Sequence, residues 1–337
     1  MTMNMKATKN LRLTVAAFAL AMLAAMAPAP ARAAAEGHFD KTLTVSGSVE
    51  MDVATGSGNI TVRTADSGKV EIHATIRAND NWSSGARDAE SRIQYIEQHP
   101  PIEQNGNTIT IGHENDREMM RNISISYEIV TPAQTRLHSA TGSGNQTVDG
   151  VAGPVESTTG SGDVKLSSIG NDASARAGSG DITVSNVKGT VHASSGSGTI
   201  HADGVAGAMT ASTGSGDIVL SQTGSGDVEA SSGSGTVEIN GVKGAVHVGT
   251  GSGNIRAQGT PTGSWRLRTG SGDLTVALPE KTSFELYART SSGRIDSKFP
   301  ITVQGTINPR ELHGQVGSGG PTVELRTSSG SIRIESR

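Results

Sequence analysis

The spacing of one tripeptide constrains this chain more than any other feature. Gly-Ser-Gly begins at positions 142, 160, 178, 196 and 214, each step being 18 residues, and continues at 233, 251 and 270. A further copy at 224 falls midway through a repeat, and an early one stands apart at Gly56-Ser57-Gly58. Thr290-Ser291-Ser292-Gly293 and Thr327-Ser328-Ser329-Gly330 read as degenerate later copies. A fixed period of this length marks an architecture in which each unit buries its apolar face only against its neighbours.

Within a period, apolar and polar residues alternate. In Ala177–Ser194, Ile182 and Val184 alternate with Asp181, Thr183 and Ser185. Val187 then marks a half-turn near Gly189, and Val191 and Ala193 alternate with Thr190, His192 and Ser194. The same slots hold Val164, Leu166, Ile169, Ala173 and Ala175 one repeat earlier, and Ile200, Ala202, Val205, Met209 and Ala211 one repeat later. A period of two means strands with one buried face. Two short strands per repeat leave no room for a crossover helix. The expected fold is therefore all-β: a parallel β-solenoid (β-helix) of about ten 18-residue, two-strand coils, stacked ~4.8 Å apart into a rod roughly 50 Å long. Ser157, Ala175, Ala193 and Ala211 at one inward slot suit a narrow interior, and the corner glycines are expected to supply positive φ. A meander of 9-residue hairpins is the alternative, and the 18-residue register disfavours it.

Composition fits a thin core. Aromatic residues are 3% of the chain, glycine accounts for 44 of its 337 residues, and cysteine is absent. Disulfides, thiolate metal sites and cysteine catalysis are thereby excluded. With 28 Lys+Arg against 32 Asp+Glu and few aromatic platforms, nucleic acid is not expected as a partner.

The first 33 residues read as a secretory signal. Lys6, Lys9 and Arg12 form a basic start, Val15 to Ala27 is unbroken in apolar character, and Ala31-Arg32-Ala33 offers a small-x-small cleavage site. Cleavage there leaves 24 basic against 32 acidic residues and no integral membrane segment in the mature chain. The expected location is exported: periplasmic, cell-surface associated or secreted. Residues 34–140 break the repeat and are expected to form a β-rich N-terminal capping region. It has one short helix over Gly85–Gln98, opened by Ser84, and a strand pair turned at Asn105-Gly106. Residues 141–337 form the solenoid domain, with the irregular stretch from Phe299 to Gly320 closing the far end.

Tyr127-Glu128-Ile129-Val130-Thr131-Pro132, then Leu137, the repeated T-G-S-G-[DN]-[IV] turns and the closing Val323-Glu324-Leu325-Arg326-Thr327-Ser328-Ser329-Gly330 resemble the bacterial "putative adhesin" family of β-strand-repeat proteins. That family is a domain of unknown function. The resemblance covers most of the mature chain, implies an exported β-solenoid, and supplies no catalytic residues to carry over.

Candidate chemistry lies along the repeats. Asp163, Asp181, Asp217, Asp227 and Asp273 follow Gly-Ser-Gly, with Asn59, Asn145 and Asn254 in the equivalent place. A file of carboxylates invites calcium, which takes six to eight oxygens, but Thr199 and Thr236 interrupt it. Capping of turn amides by the Asx side chains is the reading adopted. His192 and His247 share an outward slot three coils apart, on the order of 15 Å, and His201 lies on the other half-coil, too dispersed for one metal ion. Asp80, Asp88 and Glu90 in the inserted region read as solvated charges rather than a glycosidase pair. No catalytic, cofactor or metal residue emerges, and no cofactor is expected. The functional expectation is a non-enzymatic, adhesin-like module that binds an unknown protein or glycan through an extended sheet face. The alternatives are a periplasmic scaffold or partner-binding protein and, further off, a polysaccharide-active β-helix enzyme.

Overall fold

The computed structural model describes residues 35–78, 86–113, 120–303 and 308–337. The expected export signal lies outside these residues, as do Asp80 and Ser84. The fold is all-β, a parallel solenoid whose strands join one hydrogen-bonded network.

Two ladders run through it. The first places Val155–Thr159, Ala173–Ala177, Val191–Ser195, Met209–Thr213 and Val228–Ser232 side by side, parallel and in unbroken register. The second stacks Val164–Ile169, Ile182–Val187, Ile200–Val205 and Ile218–Gln222, also parallel, with one register shift between Ala202 and Val205. The apolar slots named from the repeat point inward: Val164, Leu166, Ile182, Val184 and Val191 are buried. The interior narrows to Ala175, Ala193 and Ala211 at one slot. A polar site interrupts this core where Ser139 donates to Gln146 at 2.5 Å and meets the Ser157 hydroxyl at 2.9 Å.

The ladders begin before the regular repeat does. Val49–Ser57 pairs in parallel with Thr135–Ser143, and Ile60–Thr64 with Gln146–Asp149. Residues 49–64 therefore form a coil directly beneath 135–149, and the intervening chain is an excursion. Within that excursion Ile102–Asn105 and Thr108–Ile111 form the expected hairpin, and Ile123–Thr131 pairs in parallel with Ile60–Thr64. Beyond it, Lys69–Ala78 and then Glu36–Thr44 add antiparallel strands. The helix spans Ala86–Gln98 and lays Ile93 and Ile96 into the core.

At the other end, chain order and spatial order part. Thr322–Ser329 lies between Ile255–Ser271 and Phe284–Thr290, parallel to both. Ile332–Ser336 likewise lies between Leu274–Leu278 and Ile295–Ser297. Glu311–Val316 and Ile301–Thr302 then add antiparallel strands outside Phe284–Thr290. Large rings cluster at both ends. Phe39 packs edge-on to Tyr127 with centroids 6.5 Å apart, and Phe284 edge-on to Phe299 at 5.4 Å.

The reason for glycine at the repeated corners differs from the expectation. Left-handed backbone is absent from the in-phase Gly-Ser-Gly turns that begin at 142 to 270, although Gly58 and Gly226 adopt it, and so do Gly150, Gly204 and Gly241 at the opposite corner. What excludes a side chain from the in-phase turns is the coil below. A Cβ on Gly180 would lie 1.8 Å from the Gly162 carbonyl oxygen, and one on Gly162 equally close to that of Gly144.

Candidate functional site

Each corner turn is held by two columns of side-chain hydrogen bonds. In the outer column an Asx oxygen accepts the N–H of the residue at the same place in the next coil. Asn59 accepts from Asn145, Asn145 from Asp163 and Asp163 from Asp181, each at 2.9 Å. Asp181 then accepts from Thr199 at 2.8 Å, where the column stops because Thr199 has no carbonyl-type oxygen to offer. It resumes with Asp217 accepting from Thr236, Asn254 from Asp273 and Asp273 from Ser331. Asp227 is not part of this file. It accepts the N–H of Ala245 as Asp172 accepts that of Thr190, so it belongs to the opposite corner, half a coil away.

The inner column was not singled out in the sequence. The Ser or Thr preceding Gly-Ser-Gly turns inward and donates its hydroxyl to a glycine carbonyl of the coil below. Ser195, Thr213, Ser232 and Thr250 reach Gly180, Gly198, Gly216 and Gly235 in turn, each at 2.9 Å. Ser195 and Ser232 also accept the N–H of the second turn glycine, Gly198 and Gly235. The signal was present as the recurring Thr or Ser of T-G-S-G.

The ionisable groups of the turns stay on the surface. Asp273 has its carboxyl held below the ordinary aspartate range, chiefly by the Ser331 N–H, against some desolvation, and further by Arg333 at 3.2 Å. Burial pushes the Tyr127 phenol far up, and its hydroxyl has no hydrogen-bond partner among the described residues. Among the described residues no group of three His, Asp or Glu converges as a metal site. His192, Thr210, Glu229 and His247 are successive positions of one outward file, so the two histidines stand three coils apart. Asp88 is exposed and pairs with Arg92 at 3.6 Å, and Glu90 is exposed.

The outward face of the first ladder is the feature with the greatest reach. One file of residues crosses it from Asp52 through His138, Glu156, Ser174 and His192 to His247, Arg266 and Glu324, ending at Tyr287 and His313. Along its middle the neighbours are small, with Ser194, Ser212, Ser231 and Gly249 in the adjacent file. A shallow depression lies between His138, Glu156, Ser174 and His192. Glu156 is paired there with Arg176.

The character of this face changes at its far end. Arg268, Arg326 and Arg289 succeed one another in the second file, and Arg266 stands beside Glu324 in the first. Glu324 accepts from Arg268 at 3.0 Å and forms ion pairs with Arg326 at 2.6 Å and Arg266 at 3.6 Å. Its side chain is only 13% exposed, whereas those three arginines are 51–58% exposed. Tyr287 is 39% exposed and stacks on His313 with centroids 4.0 Å apart.

A family model described as Toastrack DUF4097 matches residues 48–335. The chain belongs to the Toastrack family. The match starts at the edge of Val49–Ser57, the first strand to pair in parallel with the regular coils, and runs to the last strand, so it takes in the excursion and the interleaved end and leaves out Glu36–Thr44. Among solved structures, this Toastrack chain is similar to a "putative adhesin" from Bacteroides fragilis, with 13% identity, a TM-score of 0.32, and coverage of 88% of this chain and 97% of the other. It is also similar to a "putative cell adhesion protein" from Clostridium sporogenes, with 12% identity, a TM-score of 0.24, and coverage of 89% and 100%. A third, a "putative adhesin" from Parabacteroides distasonis, has 11% identity, a TM-score of 0.28, and coverage of 88% and 97%. No curated relative matches the chain. No helix among the described residues is long and apolar enough to cross a membrane.

Proposed function

We propose that this Toastrack chain is an exported, non-enzymatic binding module of adhesin type that engages its partner through the outward face of the first ladder. The observation that carries this reading is the continuous outward file from Asp52 to His313, uninterrupted by an inserted loop from Thr135 to Leu278. A repeated surface distributes affinity over many modest contacts, and multivalency raises the total. A catalytic centre needs a singular cluster of groups in a cleft. The middle of the face instead offers Ser, Thr and dispersed charges in open positions, and the arginine cluster at its far end lies on a flat sheet with a single carboxylate, Glu324, among its arginines.

In this reading residues 1–33 direct export and are removed. Among the described residues eleven coils make up the rod, from 49–64 to the interleaved pair 322–336 and 284–297. The antiparallel strands at each end act as caps, because a bare parallel edge would template pairing with other chains. Residues 34–140 contribute the first coil as well as the cap, and residues 141–337 the remainder.

Binding to a panel of bacterial and host glycans, set against capture of partners from an envelope fraction, tests the proposal. Deletion of Ala177–Ser194 removes one full repeat and keeps register. It should leave a folded protein whose binding is weakened and not abolished. A hydrolytic or lyase activity on polysaccharide, lost on one carboxylate substitution, would overturn it.

A further inference from the structure

We propose that the arginine cluster at the far end of the outward face is a binding site for acidic polysaccharide, with carboxylated sugars as its ligand class. This inference rests on the binding-module reading and names the ligand chemistry of its most specialised part.

Arg266, Arg268, Arg289 and Arg326 lie on four neighbouring strand positions, and the only carboxylate among them is Glu324. Three of the arginines share that one carboxylate. No carboxylate of the described residues lies within ion-pair distance of Arg289, although Glu311 stands opposite it and Glu285 bounds the patch. The cluster thus keeps an excess of positive charge on a chain whose overall balance is acidic.

Geometry sharpens the point. A guanidinium carries five N–H donors in a planar fork suited to carboxylate. Glu324 occupies a minority of those donors and, being largely buried between them, fixes the arginine side chains in place. The remaining donors face solvent. Arg268, Arg326 and Arg289 follow one another at the interstrand spacing, ~4.8 Å. That row suits a polymer bearing regularly repeated anions better than a single small anion. Tyr287 adds an exposed ring beside the row, held against His313, and an aromatic face next to anion-binding donors is suited to the apolar face of a sugar ring. Glu324 is a positioning residue here, and the arginines and Tyr287 are the contacts.

The experiment uses the full processed chain with polygalacturonate as the acidic probe, dextran as the neutral probe and dextran sulfate as the non-carboxylate anion, measured by calorimetry at low and moderate salt. The expected result is binding to polygalacturonate that weakens with salt, with little binding to dextran. Arg268→Gln/Arg326→Gln/Arg289→Gln should lower that affinity by about tenfold or more, since each removes a charge-assisted contact. Tyr287→Ala should lower it about fivefold through lost ring burial. Arg63→Gln, an exposed charge on the second ladder, should leave it unchanged. All the substituted residues are exposed, and unchanged melting curves verify that the variants are folded.

Absence of polygalacturonate binding by the parent chain would overturn the inference. So would equal loss in Arg63→Gln, or tighter binding of dextran sulfate that ignores Tyr287→Ala, since either describes a general anion patch. Binding to a neutral glycan or an envelope protein that survives the triple substitution would refute this site and leave the binding-module reading standing.

Discussion

Thr213 donates its hydroxyl to the carbonyl of Gly198, fifteen residues earlier and one coil below, at 2.9 Å. The same oxygen accepts the N–H of Gly216 at 3.2 Å. One buried side chain thus serves two backbone groups, one in each of two successive turns. Thr213→Val keeps the shape and leaves both groups unpaired, which should cost about 1–3 kcal/mol. The column has one natural gap, at Ala177. Ala177→Thr, which restores the T-G-S-G sequence, should stabilise by about 1 kcal/mol. Denaturant melts of the two variants should shift in opposite directions.

Glycine at the turns is a matter of clearance between coils. Gly180→Ala should destabilise by about 2–4 kcal/mol, because its Cβ must push two backbones apart. Gly56→Ala has nothing within 4 Å of the added carbon and should be nearly silent. Thermal melting of the pair separates clearance from backbone freedom.

Val191 is 1% exposed, and Thr183 points outward between Lys165 and His201 in the second ladder. Val191→Asp should cost about 3–5 kcal/mol or prevent folding, since an unpaired charge there has neither water nor partner. Thr183→Asp should change stability by less than about 0.5 kcal/mol. Circular dichroism melts on both variants check the inside-outside register directly.

Asp273 joins the turn of its coil to Ser331 and to Arg333. Its folded carboxyl is more acidic than an unfolded one, so it adds stability that is complete above the ordinary aspartate range, ~4. That contribution is lost as pH falls through the lower folded value. Asp273→Asn keeps an acceptor for the Ser331 N–H, as Asn254 does for Asp273 itself, but loses the charge. The gap in melting temperature between parent and variant should be constant from pH 5 to 7 and shrink below about pH 4. A gap that widens in acid would mean the sign is wrong.

Much of the fold was legible because the repeat carries it. The 18-residue step fixed parallel stacking, and the alternation around Val191 fixed which face is buried. The resemblance carried by Tyr127 to Pro132 pointed to the family that the match over residues 48–335 shows. What was hidden was long-range or isotropic in sequence. The coil at 49–64 is separated from its neighbour by a 70-residue excursion, and no local pattern announces such a pairing. Asp227 followed the same tripeptide as Asp217 and went to the opposite corner, because an identical turn can serve either bend. The arginine cluster was invisible for the same reason. Arg268, Arg289 and Arg326 are scattered through some sixty residues and become neighbours only through the interleaving of the last strands.

That interleaving governs timing. A chain that emerges from its first residue onward can add coils in order as far as Leu278, each docking on the one before. The next place in the stack belongs to Thr322–Ser336, so Phe284–Ser297, though made earlier, must wait for a surface that does not yet exist. Until then its exposed neighbour is the strand containing Trp265 and Leu267, which it matches in the pattern of inward residues and can occupy in error. Pulse-labelled hydrogen exchange should therefore protect the Glu285 amide, which donates to the Pro321 carbonyl, no earlier than Leu325, and early protection of Glu285 alone would report the misplaced coil. Completion of the rod is an insertion, and the last segment to arrive decides whether the one before it is in the right place.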